Sequence, residues 1–319
     1  MRKETYKYLY GPVPSRRLGR SLGVDLVPFK TCTYDCVYCQ LGRTTDKTLE
    51  RKEYVTAEAI LSELERKLAE ADKPDYITLA GSGEPTLNCC IGKIIREIKG
   101  MTDIPVAVLT NGSLLWMEAV QEALLQADLV IPSLDAGDDL FFQCVSRPHA
   151  SIEFDRMVEG LATFTKRFKG EVWLEVLLLA GFTDAATEVK KIAAIANGLG
   201  VARIQLNTAT RPPAEDFALA LSSGQLLELK GLFQGQVDVI SENVREITED
   251  ATLGQAADAD IVALLNRRPC TVEGIAAGLA LRPNEVLKRV LLLRQRGAVK
   301  AVRKENTLYY EGTRNGENS

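Results

Sequence analysis

Histidine is nearly missing from this chain of 319 residues, where His149 stands alone. That argues against a zinc knuckle, because zinc motifs usually pair two C-x-x-C or Cys/His arms to reach four ligands. Long apolar runs are missing as well. No stretch approaches the ~20 residues that a bilayer crossing requires. The opening Met-Arg-Lys-Glu-Thr-Tyr-Lys has neither the apolar segment nor the small-residue cleavage site of a signal peptide. A cytoplasmic protein with no membrane partner is therefore expected. There is no internal repeat, and low complexity is confined to a polar tail over 312–319. The seven cysteines are odd in number and widely spread, which fits reduced thiols rather than a disulfide framework.

What is present is enough for a large core. Apolar side chains make up 46% of the chain, sufficient for one big domain and a small one. The net charge of −4 is unevenly distributed: from Asp258 onward there are 11 Lys and Arg against 7 Asp and Glu. The tail is thus about +4 and the remainder about −8.

Between Arg20 and Ile240, short β-rich runs alternate with helix-period stretches, the pattern of βα units around a parallel sheet. Strands are expected at Leu22–Val27, Tyr76–Ala80, Val106–Thr110, Leu129–Leu134, Glu171–Leu179 and Arg203–Asn207. Helices are expected at Ala57–Ala71, Ile91–Lys99, Glu118–Gln126, Ile152–Phe168 and Ala185–Leu199. Right-handed crossovers roll such a sheet into a full or partial barrel, with its chemistry at the carboxyl ends of the strands. Polar signatures fall at those ends: Ala80-Gly-Ser-Gly-Glu-Pro-Thr86, Leu109-Thr-Asn-Gly-Ser113, Pro132-Ser-Leu-Asp135, Ala180-Gly-Phe-Thr-Asp184, and Gln205 to Pro213.

Three helical stretches and a hairpin follow an acidic linker at 241–257. The order of helix, helix, longer helix and two-stranded wing is a winged-helix arrangement over 258–311. Its Arg282, Lys288, Arg289, Arg294, Arg296, Lys300, Arg303 and Lys304 suggest docking of tRNA or of a protein substrate. The cysteine loop lies wholly upstream, so removal of this module is expected to leave its chemistry intact.

The most informative segment is Cys32-Thr-Tyr-Asp-Cys36-Val-Tyr-Cys39. Three thiolates in C-x-x-x-C-x-x-C spacing can hold a [4Fe–4S] cluster with one iron open to a ligand, and Tyr38 is placed to pack on a flat ligand above it. This loop resembles the radical S-adenosylmethionine (radical SAM) superfamily. The resemblance continues through Gly81, Ser82, Gly83 and Glu84, a turn that in the family contacts the SAM amino group. It extends to Thr110, Asn111, Ser133 and Asp135, where the family binds the SAM carboxylate and ribose.

The resemblance implies a partial (β/α)6 α/β barrel from 1 to 240. It also implies a [4Fe–4S] cluster on Cys32, Cys36 and Cys39, SAM as co-substrate, and a flavodoxin- or ferredoxin-like reductant. The implied reaction is SAM cleavage to a 5′-deoxyadenosyl radical that abstracts hydrogen from a substrate.

The segment Tyr8 to Gly23 is similar to the wyosine-type tRNA-modification synthases, although no cysteine precedes Cys32 to supply their second cluster. Arg147, His149 and Arg211 are candidate substrate contacts, and Arg16, Arg17 and Arg20 could hold a phosphate or carboxylate. Cys89, Cys90, Cys144 and Cys270 read as buried thiols. Two other function classes fit parts of the pattern. One is an activating enzyme that places a glycyl radical on a protein; the other is a non-enzymatic iron–sulfur regulator that binds DNA.

Overall fold

Runs of Val, Ile and Leu buried on both faces must be covered by helices, and each such run here is followed by an amphipathic stretch that does so. The computed structural model describes residues 6–70, 73–240, 258–279, 281–304 and 307–313. Its strands are β1 (Leu9–Ser15), β2 (Gly19–Val24), β3 (Thr31–Cys32), β4 (Asp46–Lys47), β5 (Tyr76–Leu79), β6 (Val106–Thr110), β7 (Leu129–Pro132), β8 (Glu171–Leu178), β9 (Arg203–Thr208) and β10 (Val237–Val239). The crossovers carry α1 (Ala57–Leu68), α2 (Ile91–Met101), α3 (Glu118–Leu124), α4 (Asp139–Val145), α5 (Phe154–Arg167), α6 (Ala186–Gly198) and α7 (Ser223–Lys230).

One eight-stranded sheet runs β1-β2-β5-β6-β7-β8-β9-β10, so β1 and β10 are its edges. All pairings in it are parallel except β1 with β2. Ile60, Leu64, Ile91, Ile94, Ile95 and Ile98 seal one face against Leu22, Ile77, Leu79, Val106 and Val108. On the other face Leu18, from the β1–β2 turn, packs with Ala107, Leu129 and Ile131.

The six expected strands are present, with ends moved by a few residues. Strand β2 stops at Val24 rather than Val27 because the chain turns at Asp25 into the cysteine loop. Two further strands extend this sheet at its edges, and β3 and β4 pair separately. Strand β1 contains Pro12 and Pro14 and shifts register between Tyr10 and Val13, features tolerated at a sheet edge. Strand β10 is only three residues long.

After 258 come α8 (Asp258–Arg267), α9 (Val272–Leu279), α10 (Pro283–Gln295) and the antiparallel pair β11 (Val299–Lys304) and β12 (Thr307–Gly312). Ile261, Leu264, Ile275, Val286, Val290 and Tyr310 form a separate core that takes in Val13 of β1, with Tyr10 packed against it. This C-terminal unit reaches from the β1 edge to the segment after β9. Arg267 Nε meets Asp25 Oδ2 at 2.6 Å, Lys304 Nζ donates to the carbonyls of Ala209 (2.6 Å) and Arg211 (3.1 Å), and Tyr309 Oη donates to Thr210 O at 3.0 Å. The expected linker at 241–257, the turn residues 305–306 and the tail 314–319 lie outside the described residues. Among the described residues no helix is long and apolar enough to cross a membrane.

Candidate cluster and cofactor site

The cysteine loop leaves β2 at Asp25 and is fastened from three sides. The Gly81 to Pro85 turn after β5 lies flush on it: Lys30 N donates to Ser82 O at 2.6 Å and Glu84 N to Thr31 O at 3.1 Å. Only glycine permits this approach. A Cβ at Gly83 would sit 1.9 Å from Thr31 O, and one at Gly81, whose φ is +118°, would sit 1.8 Å from Asp25 Oδ1. From the segment after α4, His149 N donates to Thr33 O at 2.8 Å and the carbonyl of Ser146 accepts from Asp35 N at 3.0 Å. From the turn after β6, Asn111 Nδ2 donates to Thr33 Oγ1 at 2.7 Å, and Ser113 Oγ lies 2.7 Å from the same hydroxyl.

Two donors point at the thiols themselves. Lys30 Nζ lies 3.1 Å from Cys39 Sγ, and Asn111 Nδ2 lies 3.6 Å from Cys32 Sγ. Burial pushes the Cys32 thiol up to about 12, helped by the carboxylate of Glu84 and by Cys39. Burial, with Cys32 and Cys39 as neighbours, pushes Cys36 well above the ordinary thiol range. Three thiolates this close repel one another, and the charge of a metal centre is what reverses that preference. Among the described residues no three such side chains converge on one metal ion. A cluster asks for something different, since each thiolate binds its own iron, and the donor set fits that group.

Glu84 is 2% exposed and ties the two strand-end turns together. Its Oε1 accepts from Thr86 N (3.0 Å), Thr86 Oγ1 (2.5 Å) and Thr110 Oγ1 (2.6 Å), and its Oε2 from Asn111 N (2.8 Å). Burial raises its pKa against those four hydrogen bonds. Ser82 donates from N (2.9 Å) and Oγ (3.2 Å) to Asp25 Oδ1. Ser133 forms a parallel bridge to Glu175. Asp135 accepts from Leu177 N at 2.8 Å and from the hydroxyl of Tyr38, and burial raises its pKa to about 7.

The other predicted residues serve different elements. Arg147, at φ +46°, pairs with Glu215 at 2.5 Å. His149 accepts from Ser151 N through Nδ1 at 3.2 Å. Both brace the cysteine loop through their backbones. Arg211 donates to Gln40 Oε1 at 2.9 Å, one residue beyond Cys39. Of the four remaining thiols, Cys270 is buried, whereas Cys89 and Cys144 are exposed and Cys90 is intermediate, which corrects the expectation for the last three. Sequence reasoning missed Lys30, Asp25, Arg267 and the pair of Arg17 with Glu175 at 2.8 Å. Lys30 had a signal, as a cation two residues before Cys32; the others depend on tertiary docking.

Comparison with known proteins agrees with this geometry. The radical SAM superfamily model matches residues 26–193. UPF0026 protein MJ1312 of Methanocaldococcus jannaschii is 37% identical over 254 residues, covering 74% of this chain and 79% of the relative. A protein of Brachyspira hyodysenteriae named GTPase Obg is 42% identical over 298 residues, but this chain spans only 42% of its length. No G-x-x-x-x-G-K-[ST] phosphate loop occurs in the present sequence, so that name is not carried over. A radical SAM methyltransferase from Sphaerobacter thermophilus shares the fold, with a TM-score of 0.56 at 17% identity over 69% of this chain and 65% of the other.

Proposed function

The chain belongs to the radical SAM superfamily, enzymes that use a [4Fe–4S] cluster and SAM, and we propose that Cys32, Cys36 and Cys39 hold that cluster. When bound, the cluster supplies one electron for reductive cleavage of SAM, giving the 5′-deoxyadenosyl radical that takes hydrogen from a substrate. The observation that carries the residue assignment is convergence. Three of the strand-end turns singled out by the sequence, those after β5, β6 and β7, hydrogen-bond to the cysteine loop or to Tyr38 within it.

Each side chain then has a defined task. Lys30 offsets thiolate charge at Cys39, and the Asn111 amide does so at Cys32. Glu84 and the Gly81–Ser82–Gly83 backbone receive the SAM ammonium; Thr110, Asn111, Ser133 and Asp135 receive its carboxylate and ribose. Tyr38, oriented by Asp135, packs on the adenosyl group. Arg147, His149 and Arg211 border the substrate side. The reductant is a flavodoxin- or ferredoxin-like protein, and the compartment is the cytoplasm.

The C-terminal unit reads as a winged helix that sets tRNA or a protein substrate against the barrel, and the resemblance of Tyr8 to Gly23 to tRNA-modification synthases favours RNA. Its charge is partly consumed within the unit, however: Arg289 pairs with Glu285 at 2.6 Å and Lys300 with Glu311 at 2.8 Å.

Anaerobic reconstitution tests the assignment. The protein should take up about four irons per chain, show a reduced-cluster signal perturbed by SAM, and release 5′-deoxyadenosine with dithionite. Cys36→Ala should bring that release to background, whereas Cys89→Ala, at an exposed thiol, should leave it intact. A signal indifferent to SAM would defeat the reading.

A further inference from the structure

The two faces of β8 and β9 differ in chemistry. Leu174, Val176, Leu178, Ile204 and Leu206 pack into the main core, so strand alternation turns Glu175, Gln205 and Asn207 to the opposite face. Trp173 shares that face, and Leu18 of the β1–β2 turn packs against it there. Register sets polar side chains in a row across it: Ser133 is bridged to Glu175, and Glu175 lies directly across from Gln205.

The row is only partly used within the chain. Asn207 Nδ2 donates to Glu175 Oε1 at 2.7 Å. Arg17 Nη1 lies 2.8 Å from Glu175 Oε2, close enough for an ion pair but not aligned as a hydrogen bond. Burial opposes ionisation of Glu175, yet Arg17 and Asn207 hold its pKa below the ordinary value, so the pair carries no net charge. Gln205 is 1% exposed, and its Oε1 is buried without a hydrogen-bond partner. An amide oxygen so placed has lost its hydration and gained no bond in exchange, a cost that a leucine of similar volume would avoid.

We propose that Gln205, with Glu175, Asn207 and Arg17 beside it, forms a substrate site inside the barrel that takes a neutral edge carrying an N–H next to a carbonyl, as on a nucleobase or another cyclic amide. The inference rests on the enzyme reading above and adds a substrate class to it. A glutamine amide offers one acceptor and two donors and so complements an edge that both donates and accepts. The charge balance of Arg17 and Glu175 favours a neutral ligand over an ion. The position suits a substrate lying beside SAM. Leu177, which is across from Asn207, donates to Asp135, and Gln205 lies one pleat deeper, about 7 Å along the strand. It is two strands, about 10 Å, from Ser133. An edge seated on Gln205 would leave the rest of the ligand directed to the carboxyl ends of the strands, where the cysteine loop lies.

Calorimetry and thermal shift of the reconstituted, SAM-loaded full-length protein test this with inosine as the probe and purine riboside as the control. Inosine has the N–H beside a carbonyl, and purine riboside has the same rings without them. Inosine should bind and raise Tm, and purine riboside should bind roughly tenfold or more weaker. Gln205→Leu should bring inosine down to the affinity of purine riboside. It should also raise the Tm of the protein without nucleoside, because an unpaired amide gives way to an apolar group. Should Gln205→Leu fail to fold, Gln205→Met carries the same test. Equal affinity of the two nucleosides for the wild-type protein, no binding of inosine, or unchanged inosine affinity in Gln205→Leu would each overturn the proposal. Release of 5′-deoxyadenosine by the wild-type protein in the same samples separates the two readings. SAM cleavage without inosine binding removes only the site inside the barrel, and inosine binding without SAM cleavage removes only the enzyme assignment.

Discussion

Three buried carboxylates, Asp25, Glu84 and Asp135, and the partly buried Glu175 within β8 divide between two regions. Asp25 and Glu175 lie at the seam with the N-terminal hairpin and the C-terminal unit, each against an arginine at 2.6 and 2.8 Å. Glu84 and Asp135 lie beside the cysteine loop, and their hydrogen-bond partners among the described residues are neutral hydroxyls and backbone amides. Burial alone would raise Glu175, but Arg17, Asn207 and Arg16 outweigh it and hold its pKa low. At Asp25 burial wins in spite of Arg267 and Ser82. At Glu84 and Asp135 burial wins with no cation opposing it. The seam is compensated from within the chain, whereas the pocket has the polarity to receive a cationic ligand, the role proposed above for the ammonium of SAM.

The largest effect in this comparison should come from breaking the seam. Arg267→Met leaves Asp25 buried without its partner, a change worth about 3–5 kcal/mol. The damage should travel, because the same carboxylate holds Ser82 of the turn that lies on the cysteine loop. We expect a lower urea midpoint and a raised KM for SAM at unchanged iron content, both largely restored by Asp25→Asn in the double variant. Unchanged SAM kinetics in Arg267→Met would confine the seam to a purely structural role. The same variant sharpens the expectation that the C-terminal unit can be removed without touching the chemistry, because Arg267 and Asp25 join the unit to the Gly81–Pro85 turn.

Asp135 allows the pocket to be probed by pH. Its folded-state pKa is near 7 against an ordinary value of 3.8, so the folded chain binds the proton more tightly than the unfolded chain does. Its contribution to stability is therefore fully present below about pH 4 and is lost as pH rises to about 7, by roughly 4 kcal/mol at most. Urea melts of the protein without cluster or SAM should show this decline, and Asp135→Asn should flatten it. A decline that persists in Asp135→Asn would assign it to other groups. Smaller still is Glu84→Gln. The amide oxygen can keep the three donors on Oε1, but its NH2 then faces Asn111 N. Loss of the charge should weaken SAM binding by about 1.5–3 kcal/mol, while iron uptake stays near normal. Equal loss of iron would make Glu84 structural only.

The pocket was legible in the sequence because its parts are local. Cysteine spacing, glycines that must pass close to another backbone, and polar residues at the ends of β-rich runs can all be read within a few residues of one another. The seam was not. Nothing near Asp25 announces Arg267, which lies 242 residues away, and Val13 joins the C-terminal core only because β1 pairs antiparallel at the sheet edge. Pro12 and Pro14 concealed that strand, since proline argues against a strand everywhere except at an edge. His149 was singled out as a candidate substrate contact, and its links, the backbone N to Thr33 O and Nδ1 to Ser151 N, could be read only from the structure.

The smallest expected effect concerns the basic face of the C-terminal unit, where charge counting and structure differ most. Lys300 is 57% exposed and already paired with Glu311, so Lys300→Ala should change stability by less than about 1 kcal/mol. The informative readout is binding to tRNA. Removing a side chain that touches a phosphate should reduce the slope of log K against log salt by roughly one. A lysine engaged by a neighbouring carboxylate should change the slope by less than Arg294 does, because it must first give up Glu311. If Arg294→Ala flattens the slope and Lys300→Ala does not, the face binds RNA through the charges left over from internal pairing. If the full-length protein shows no salt-dependent binding at all, the nucleic-acid role of this unit is excluded. Its arginines would then act only within the fold, as Arg267 does where it holds Asp25.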